Sequence, residues 1–432
     1  MSAPGFPARA AAAALVSGVL DGGRTLADQA EDLGHLTPSE RARAQTLATD
    51  MLRHLGRIDA VIAPHLRKLP PAPVRHALRL ATAEIHLHGV PAHAAVDGAV
   101  RLARAHPKGR HLAGLVNAVA RRVSEAPEAW AEAPEGGLPD WIGRPVAAAW
   151  GAGAAASVAR AHHVAPPLDL SLRDPGSAAD WAEALGAEIL PTGSLRRPAG
   201  AQVSTLPGFE AGAWWVQDAG AALPARLLGP VAGMRALDLC AAPGGKTLQL
   251  AAAGAEVTSV DMSRPRLKRL EANLARCRLG ARVVAADALR WEPEAEVGAI
   301  LLDAPCSASG TIRRHPDLPH LTRDLAGLTQ LQGKLLARAW DWLAPGGRLV
   351  YAVCSILPAE GEKQAAIFAA ARPDALRVPV DAAALGAPAE WVDAAGALRL
   401  RPDYWGARGG IDGFYAAVFE KAVPDPVEPS PA

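Results

Sequence analysis

The sequence predicts a multidomain protein: an all-α N-terminal domain, a small α+β linker subdomain, and a C-terminal α/β domain on a mostly parallel, doubly wound sheet. Residues 1 to 130 read as helix throughout, with capping signals and a periodic apolar pattern. From about residue 216 short strand-like runs alternate with helical patterns. The first of those runs ends in a Gly-rich turn, Cys240-Ala241-Ala242-Pro243-Gly244-Gly245-Lys246-Thr247, where an α/β domain binds its ligand.

A chain of 432 residues is long for one core, and with 50% of its residues hydrophobic it has ample material for two or three. The net charge of +1 excludes a polybasic tail but not a local basic face. Only seven of the 45 basic residues are lysines; arginine suits bidentate phosphate contact, although a GC-rich genome gives the same bias and is the preferred explanation. Cys240, Cys277, Cys306 and Cys354 lack CxxC spacing and Cys/His clustering, so no metal site is expected, and unpaired thiols suit a reducing compartment. Residues 10 to 20 faintly resemble a signal-peptide core but read equally well as a buried helix. No run approaches the ~20 apolar residues of a membrane span. A cytoplasmic monomer without a membrane partner is expected.

In the helical domain, Thr37-Pro38-Ser39-Glu40 is a capping box that opens a periodic stretch to about His65. Pro70, Pro71 and Pro73 punctuate it, and helices are predicted over Val74–Leu87, Ala94–Ala105 and His111–Val123. From Gly98 to Ser124 stand Arg101, Arg104, Lys108, Arg110, Arg121 and Arg122 with no acidic residue, a solvated face or an RNA-facing patch. Residues 131 to 145, with Pro134, Gly136, Gly137 and Pro139, read as a linker. The small α+β subdomain to residue 215 is predicted to hold a strand at Pro167–Arg173, a helix at Ala178–Leu185 and strand pieces near Glu188 and Gln202. Strands of the α/β domain, residues 216 to 423, are expected at Ala236–Cys240, Glu256–Val260, Arg282–Ala285, Ala299–Asp303, Arg348–Val353 and Tyr415–Phe419, with helices at Pro265–Leu279 and Arg323–Leu343. Residues 424 to 432 are Pro-rich and read as a disordered tail.

The turn after the first of these strands has two decoys. A P-loop ending in Gly245-Lys246-Thr247 requires glycine where Cys240 stands, and no G-x-G-x-x-G fingerprint is present. What remains is a strand-to-helix turn in which Gly244 and Gly245 let backbone amides approach a ligand, and a carboxylate suits such a helix start. Asp261 ends the next strand, 23 positions after Asp238, where a carboxylate accepts from ribose hydroxyls; Asp287 ends the third and would read an adenine amino group. Cys306 and Cys354 lie at the ends of two further strands, an arrangement that suggests covalent catalysis rather than a binding module. Cys277 reads as a small core hydrophobe and Cys240 as loop packing.

Cys240 to Thr247, Asp303-Ala304-Pro305-Cys306-Ser307-Ala308-Ser309-Gly310, Arg313-Arg314-His315-Pro316-Asp317 and Tyr351 to Pro358 resemble the motifs of the RNA cytosine-C5 methyltransferases of the RsmB/Sun (Fmu) and NOL/NOP type. Val216-Gln217-Asp218-Ala219 and Asp412-Gly413-Phe414-Tyr415 match that family's flanking motifs, and the N-terminal part resembles a NusB-like RNA-binding domain. The resemblance implies a Rossmann-like class I methyltransferase domain. It implies S-adenosylmethionine held by Cys240, Ala241, Ala242, Pro243, Gly244, Gly245, Lys246, Asp261, Asp287 and Asp303. It implies Cys354 as nucleophile, Cys306 as the cysteine that assists release, and Asp303 as the group that stabilises the adduct. Arg313, Arg314 and His315 would meet RNA phosphates. Val353 departs from a frequent threonine, and His320 stands near a frequent tryptophan. The implied substrate is 16S rRNA or an early small-subunit assembly intermediate, with cytosine 967 as the target. Competing readings are a transfer-RNA or 23S-rRNA cytosine methyltransferase, a P-loop ATPase, and a non-catalytic RNA-binding or antitermination factor.

Overall fold

The computed structural model describes residues 5–424, so the expected disordered tail lies outside the described residues apart from its first position. Contacts divide the chain into two units, Met1–Val164 with Ile312–Arg323, and Ala165–Thr311 with Asp324–Ala432.

The first unit holds α1 (Phe6–Leu20), α2 (Pro38–Arg53), α3 (Leu55–Ile62), α4 (Ala72–His86), α5 (Ala92–Ala105), α6 (Ala113–Ser124), α7 (Pro127–Glu132), α8 (Asp140–Trp150) and α9 (Ala152–His162). The stretch from residue 10 to 20 is the buried helix α1, whose Ala12, Leu15, Val16 and Val19 are sealed from solvent. The capping box forms as expected: the Thr37 hydroxyl accepts from Glu40 N at 3.3 Å and the Glu40 carboxylate accepts from Thr37 N at 3.1 Å.

The helix it opens does not run unbroken to His65. It breaks at His54 (φ −107°, ψ 18°), with neither glycine nor proline there. The preceding Arg53 is buried and donates Nη1 to the carbonyls of His162 (2.9 Å) and Arg313 (2.8 Å), a tertiary demand that periodicity does not report. The expected linker at 131 to 145 is likewise corrected, because Asp140 begins α8. Pro139 there stands at the N-cap of α8 rather than in a break.

Ile312–Arg323 follows a strand of the other unit in sequence yet packs with the helices. Asp317 Oδ2 accepts from Leu26 N (2.9 Å) and Pro319 O from Trp141 Nε1 (3.2 Å), while His320 Nε2 donates to Leu52 O (3.0 Å). The six basic side chains between Gly98 and Ser124 are all exposed. A buried ion pair ties α1 to α4: Arg9 Nε donates to Glu84 at 2.8 and 3.0 Å, and Arg43 adds a contact at 3.1 Å.

The second unit opens with β1 (Leu168–Leu172), α10 (Ala178–Leu185), β2 (Glu188–Ile189), β3 (Leu195–Arg197) and β4 (Trp214–Val216), an antiparallel sheet in the order β2-β3-β1-β4. No strand forms at Gln202, where the chain makes a 3₁₀ turn (Val203–Thr205). Two- and three-residue strands are too short for an alternation signal.

There follow α11 (Ala219–Arg226), β5 (Arg235–Leu239), α12 (Gly245–Ala252), β6 (Glu256–Asp261), α13 (Arg264–Cys277), β7 (Arg282–Ala285), β8 (Val297–Asp303), α14 (Leu325–Asp341), β9 (Leu343–Val353), α15 (Glu362–Ala371), β10 (Ala375–Val378), α16 (Ala382–Leu385), β11 (Leu398–Arg399) and β12 (Tyr415–Lys421). All six strands expected of this domain are among them. The sheet order is β10-β12-β9-β8-β5-β6-β7, with β11 on β12. From β7 to β9 it is parallel, and β12 runs antiparallel to β9. Successive residues of β8 and β9 feed opposite cores: Ile300, Leu302, Leu349 and Tyr351 pack on one face, Leu301, Val350 and Ala352 on the other. Burial on both faces explains the continuous apolar run of β8. Among the described residues no helix is long and apolar enough to cross a membrane.

Glu84 is 1% exposed at its side chain, so Glu84→Ala strands Arg9 and is expected to lower unfolding free energy by about 3–5 kcal/mol. Removing the exposed Arg144–Asp140 pair is expected to change it by less than ~1 kcal/mol. Urea denaturation of the two variants checks the contrast.

Candidate active site

The chain leaves β5 through Cys240 in the left-handed region (φ 59°) and turns at Gly244 (φ 106°) into α12. A side chain at Gly244 would be strained by that φ and would place Cβ 2.7 Å from Leu270 Cγ, so glycine is required. No side chain caps α12, which leaves its first N–H groups available to an anion. Asp261, at the end of β6, holds the turn from the side: Oδ2 accepts from Ala242 N (3.1 Å) and Oδ1 from Ser263 N (2.8 Å). Asp287 lies two residues beyond β7, half-buried, and accepts from Leu289 N at 2.9 Å. An uncapped helix start, a cradle that excludes Cβ, and carboxylates after successive strands fit a nucleoside that carries an amino-acid carboxylate.

Asp238, just before the same turn, does not join them. It is fully buried beneath the turn, where Oδ2 accepts from Thr247 Oγ1 (2.6 Å) and Thr247 meets Ser259 Oγ (3.0 Å). Burial is the largest influence and pushes its carboxyl up to about 7, against the Thr247 bond and Lys246. Its role is to anchor α12 to the sheet.

The side chains expected to react gather at the carboxyl ends of β8 and β9. The two strands pair in register to Asp303 opposite Ala352, and the turns after them bring Cys306 Sγ and Cys354 Sγ to 3.4 Å. Both thiols are partly accessible. Gly310 N donates to Cys354 O (3.0 Å), and Gly413 N donates to Gly310 O (2.8 Å). A Cβ on Gly310 would fall 2.0 Å from Gly413 O, which explains glycine at that position.

Lys246, on the first turn of α12, donates Nζ to Asp303 Oδ2 at 2.7 Å and lies 5.2 Å from the Phe414 ring centre. Burial opposes its charge, but Asp303 first and Cys354 after it outweigh that, so the ammonium is held above its ordinary range. The Cys306 thiol is pushed well up, first by its hydrogen bond to Cys354 and then by burial. It therefore stays a thiol at neutral pH. Cys240 is also pushed up, by burial and then by Asp261, Asp303 and Asp238, which suits loop packing and not nucleophilic attack. Cys277 is buried on α13 among Leu267, Leu270 and Leu274.

Of the residues expected at RNA phosphates, Arg313 is 1% exposed, and this corrects its assignment: a phosphate does not reach a guanidinium packed inside the helical unit. Arg314 is half-buried and His315 exposed. Sequence reading missed Glu360, six residues after Cys354 and wholly buried against both cysteine turns. Its one visible signal was its place just beyond the Tyr351 to Pro358 motif.

A family model described as 16S rRNA methyltransferase RsmB/F matches residues 225–420, and the NusB family model matches residues 7–125. The chain is 37% identical over 408 residues to ribosomal RNA small subunit methyltransferase B of Sodalis glossinidius (strain morsitans), covering 88% of this chain and 93% of that protein. To the protein of the same name from Vibrio cholerae it is 35% identical over 444 aligned positions, covering 96% and 97%. The crystal structure of a methyltransferase homolog protein from Pyrococcus horikoshii superposes with a TM-score of 0.52 at 27% identity, over 63% of this chain and 92% of that one. The crystal structure of PH0851 gives a TM-score of 0.72 at 24% identity over 98% and 100%, a likeness of fold.

The Asp238 carboxyl has its folded value raised above that of the unfolded chain, so its stabilising effect is complete at low pH and is lost as pH rises toward 7. Asp238→Asn is expected to raise the melting temperature relative to the parent by an amount that grows between about pH 4 and pH 7 and is constant above. Thermal denaturation across that range checks it; a gap independent of pH would show that Asp238 is ionised throughout.

Proposed function

Because the chain belongs to the RsmB/F family of 16S rRNA methyltransferases, we propose that it methylates carbon 5 of a cytosine in 16S rRNA, cytosine 967, through a transient bond between Cys354 and carbon 6. Membership makes it an rRNA methyltransferase whose cofactor is S-adenosylmethionine. The observation that carries the finer reading is the pair of thiols 3.4 Å apart beside the Lys246–Asp303 ion pair.

Carbon 5 of cytosine is a poor nucleophile. Addition of the Cys354 thiolate at carbon 6 makes the ring an enamine whose carbon 5 is electron-rich. Lys246 favours the anionic sulfur by its charge, and the Cys306 thiol favours it by donating a hydrogen bond. The addition moves electron density to N3, where Asp303, once it has taken up a proton, stabilises it by hydrogen bonding or proton donation. When bound, S-adenosylmethionine supplies an electrophilic methyl on a sulfonium. Gly244, Gly245 and Lys246 at the start of α12 would receive its carboxylate, Asp261 its ribose hydroxyls and Asp287 its adenine, with Cys240 to Pro243 shaping the turn. After methylation a base takes the carbon-5 proton. The C–H electrons form the C5–C6 double bond, and the C6–S bond breaks to return Cys354 as thiolate. Cys306 assists that step through a water that takes the proton to solvent, since the Cys306 sulfur keeps its own proton. The target base must leave its stack to reach both thiols. The NusB-like unit, with its six exposed basic residues, supplies grip on the RNA together with Arg314 and His315.

Cys354→Ala is expected to lower methyl transfer by roughly 10³-fold or more while calorimetry shows S-adenosylmethionine binding retained; full turnover would move the nucleophile elsewhere. Cys306→Ala is expected to accumulate a denaturation-resistant protein–RNA adduct, and recovery of free RNA alone would remove the release role from Cys306. Bisulfite sequencing of rRNA and transfer RNA from a deletion strain identifies the substrate. Loss of a mark in transfer RNA or 23S rRNA, with 16S rRNA intact, would overturn the 16S assignment.

A further inference from the structure

Glu360 is a carboxylate with no solvent exposure, between two turns that each carry a cysteine. Its Oε1 accepts from Ser307 N (2.8 Å) and Gln332 Nε2 (3.1 Å), and its Oε2 from Ser307 Oγ (2.5 Å) and Ser355 Oγ (2.6 Å). Ser307 follows Cys306 and Ser355 follows Cys354, so one side chain binds the neighbour of each thiol. The bonds on Oε1 cannot be reversed. A backbone N–H only donates, and Gln332 spends its other amide proton on Pro305 O (2.9 Å), just before Cys306. Ser309 completes the network, meeting Ser355 Oγ at 3.0 Å and accepting from Ile356 N at 3.1 Å.

A buried carboxylate is expensive unless it is fully hydrogen-bonded. Leucine or glutamine would close the same space without that expense. Resting on the two-cysteine reading above, we propose that Glu360 is the positioning residue of the thiol pair: it locks the turns of Cys306 and Cys354 in register and, as a buried anion, disfavours a second negative charge on Cys306. The nucleophilic charge is thereby directed to Cys354, which interacts electrostatically with Lys246. The other charged and titratable groups around the pair do not offset this. Lys246 is held by Asp303 on the cofactor side. Arg399, which donates to Ser355 O at 2.6 Å, is neutralised by Glu362 at 2.6 Å. Tyr351 is kept protonated by burial and donates its hydroxyl to Glu360 O at 2.6 Å.

The test is the pH dependence of iodoacetamide alkylation at each cysteine, read by mass spectrometry of the two peptides in the full chain and in Glu360→Gln. In the parent, Cys354 is expected to react at lower pH than Cys306. In Glu360→Gln the Cys306 profile is expected to move down by roughly one pH unit with the Cys354 profile little changed. The variant's kcat is expected to fall about 10²-fold with KM for S-adenosylmethionine retained. An unmoved Cys306 profile in a variant with the parent's circular dichroism would overturn the proposal. Alkylation needs no RNA, so this outcome is separate from any failure of the substrate assignment. Should Glu360→Gln not fold, Ser355→Ala keeps the charge and removes one tie: kcat is expected to fall while the Cys306 profile stays. Unaltered kcat there would refute the positioning role.

Discussion

The parallel pairing of β8 between β5 and β9 is the constraint on which the site depends. Leu239 stands opposite Leu302, and Asp303 opposite Ala352, so three strands end at one level. Each then releases a turn that carries chemistry: the Gly244 cradle from β5, Cys306 from β8, Cys354 from β9. A two-residue slip of β9 would move Cys354 by about 7 Å along the sheet and abolish the sulfur contact. The apolar faces prevent this, since Leu349 and Tyr351 have their places in one core, Val350 and Ala352 in the other. Burial thus sets the distance between two polar atoms that contribute little to the burial themselves.

Within that frame, electrostatics divides labour among similar groups. The carboxylates that border the site are used differently. Asp238 is buried under α12 with only Thr247 on Oδ2 and is driven toward neutrality. Asp261 accepts backbone amides, Asp303 holds Lys246, and Glu360 takes four donors. The cysteines are sorted by the same means. Burial and then neighbouring carboxylates push Cys240 up, while the hydrogen bond to Cys354 and then burial push Cys306 up.

Much of this was legible along the chain. The strands of the large sheet announce themselves because they are apolar, β-branched and separated by helical periods. The cofactor turn does so because only glycine meets its backbone demand at Gly244. The capping box at Thr37 is a local signal, and it formed. The failures are equally local in cause. The break at His54 answers to Arg53 reaching carbonyls 109 and 260 positions away, and the short strands near Leu195 and Trp214 carry no alternation. Arg313 looked like a phosphate ligand because a basic cluster beside a catalytic motif reads as one. Only packing reveals that its segment joins the helical unit.

The sequence by itself determined the fold class and pointed to the Gly244 turn and to Cys306 and Cys354, because these rest on residue chemistry and short spacings that survive in one dimension. Tertiary structure alone decided that the two sulfurs touch, that Asp238 anchors a helix instead of facing a ligand, and that Glu360 joins both cysteine turns. Those facts depend on strand register and on which polar groups are denied water. Neither is encoded within any one stretch of residues.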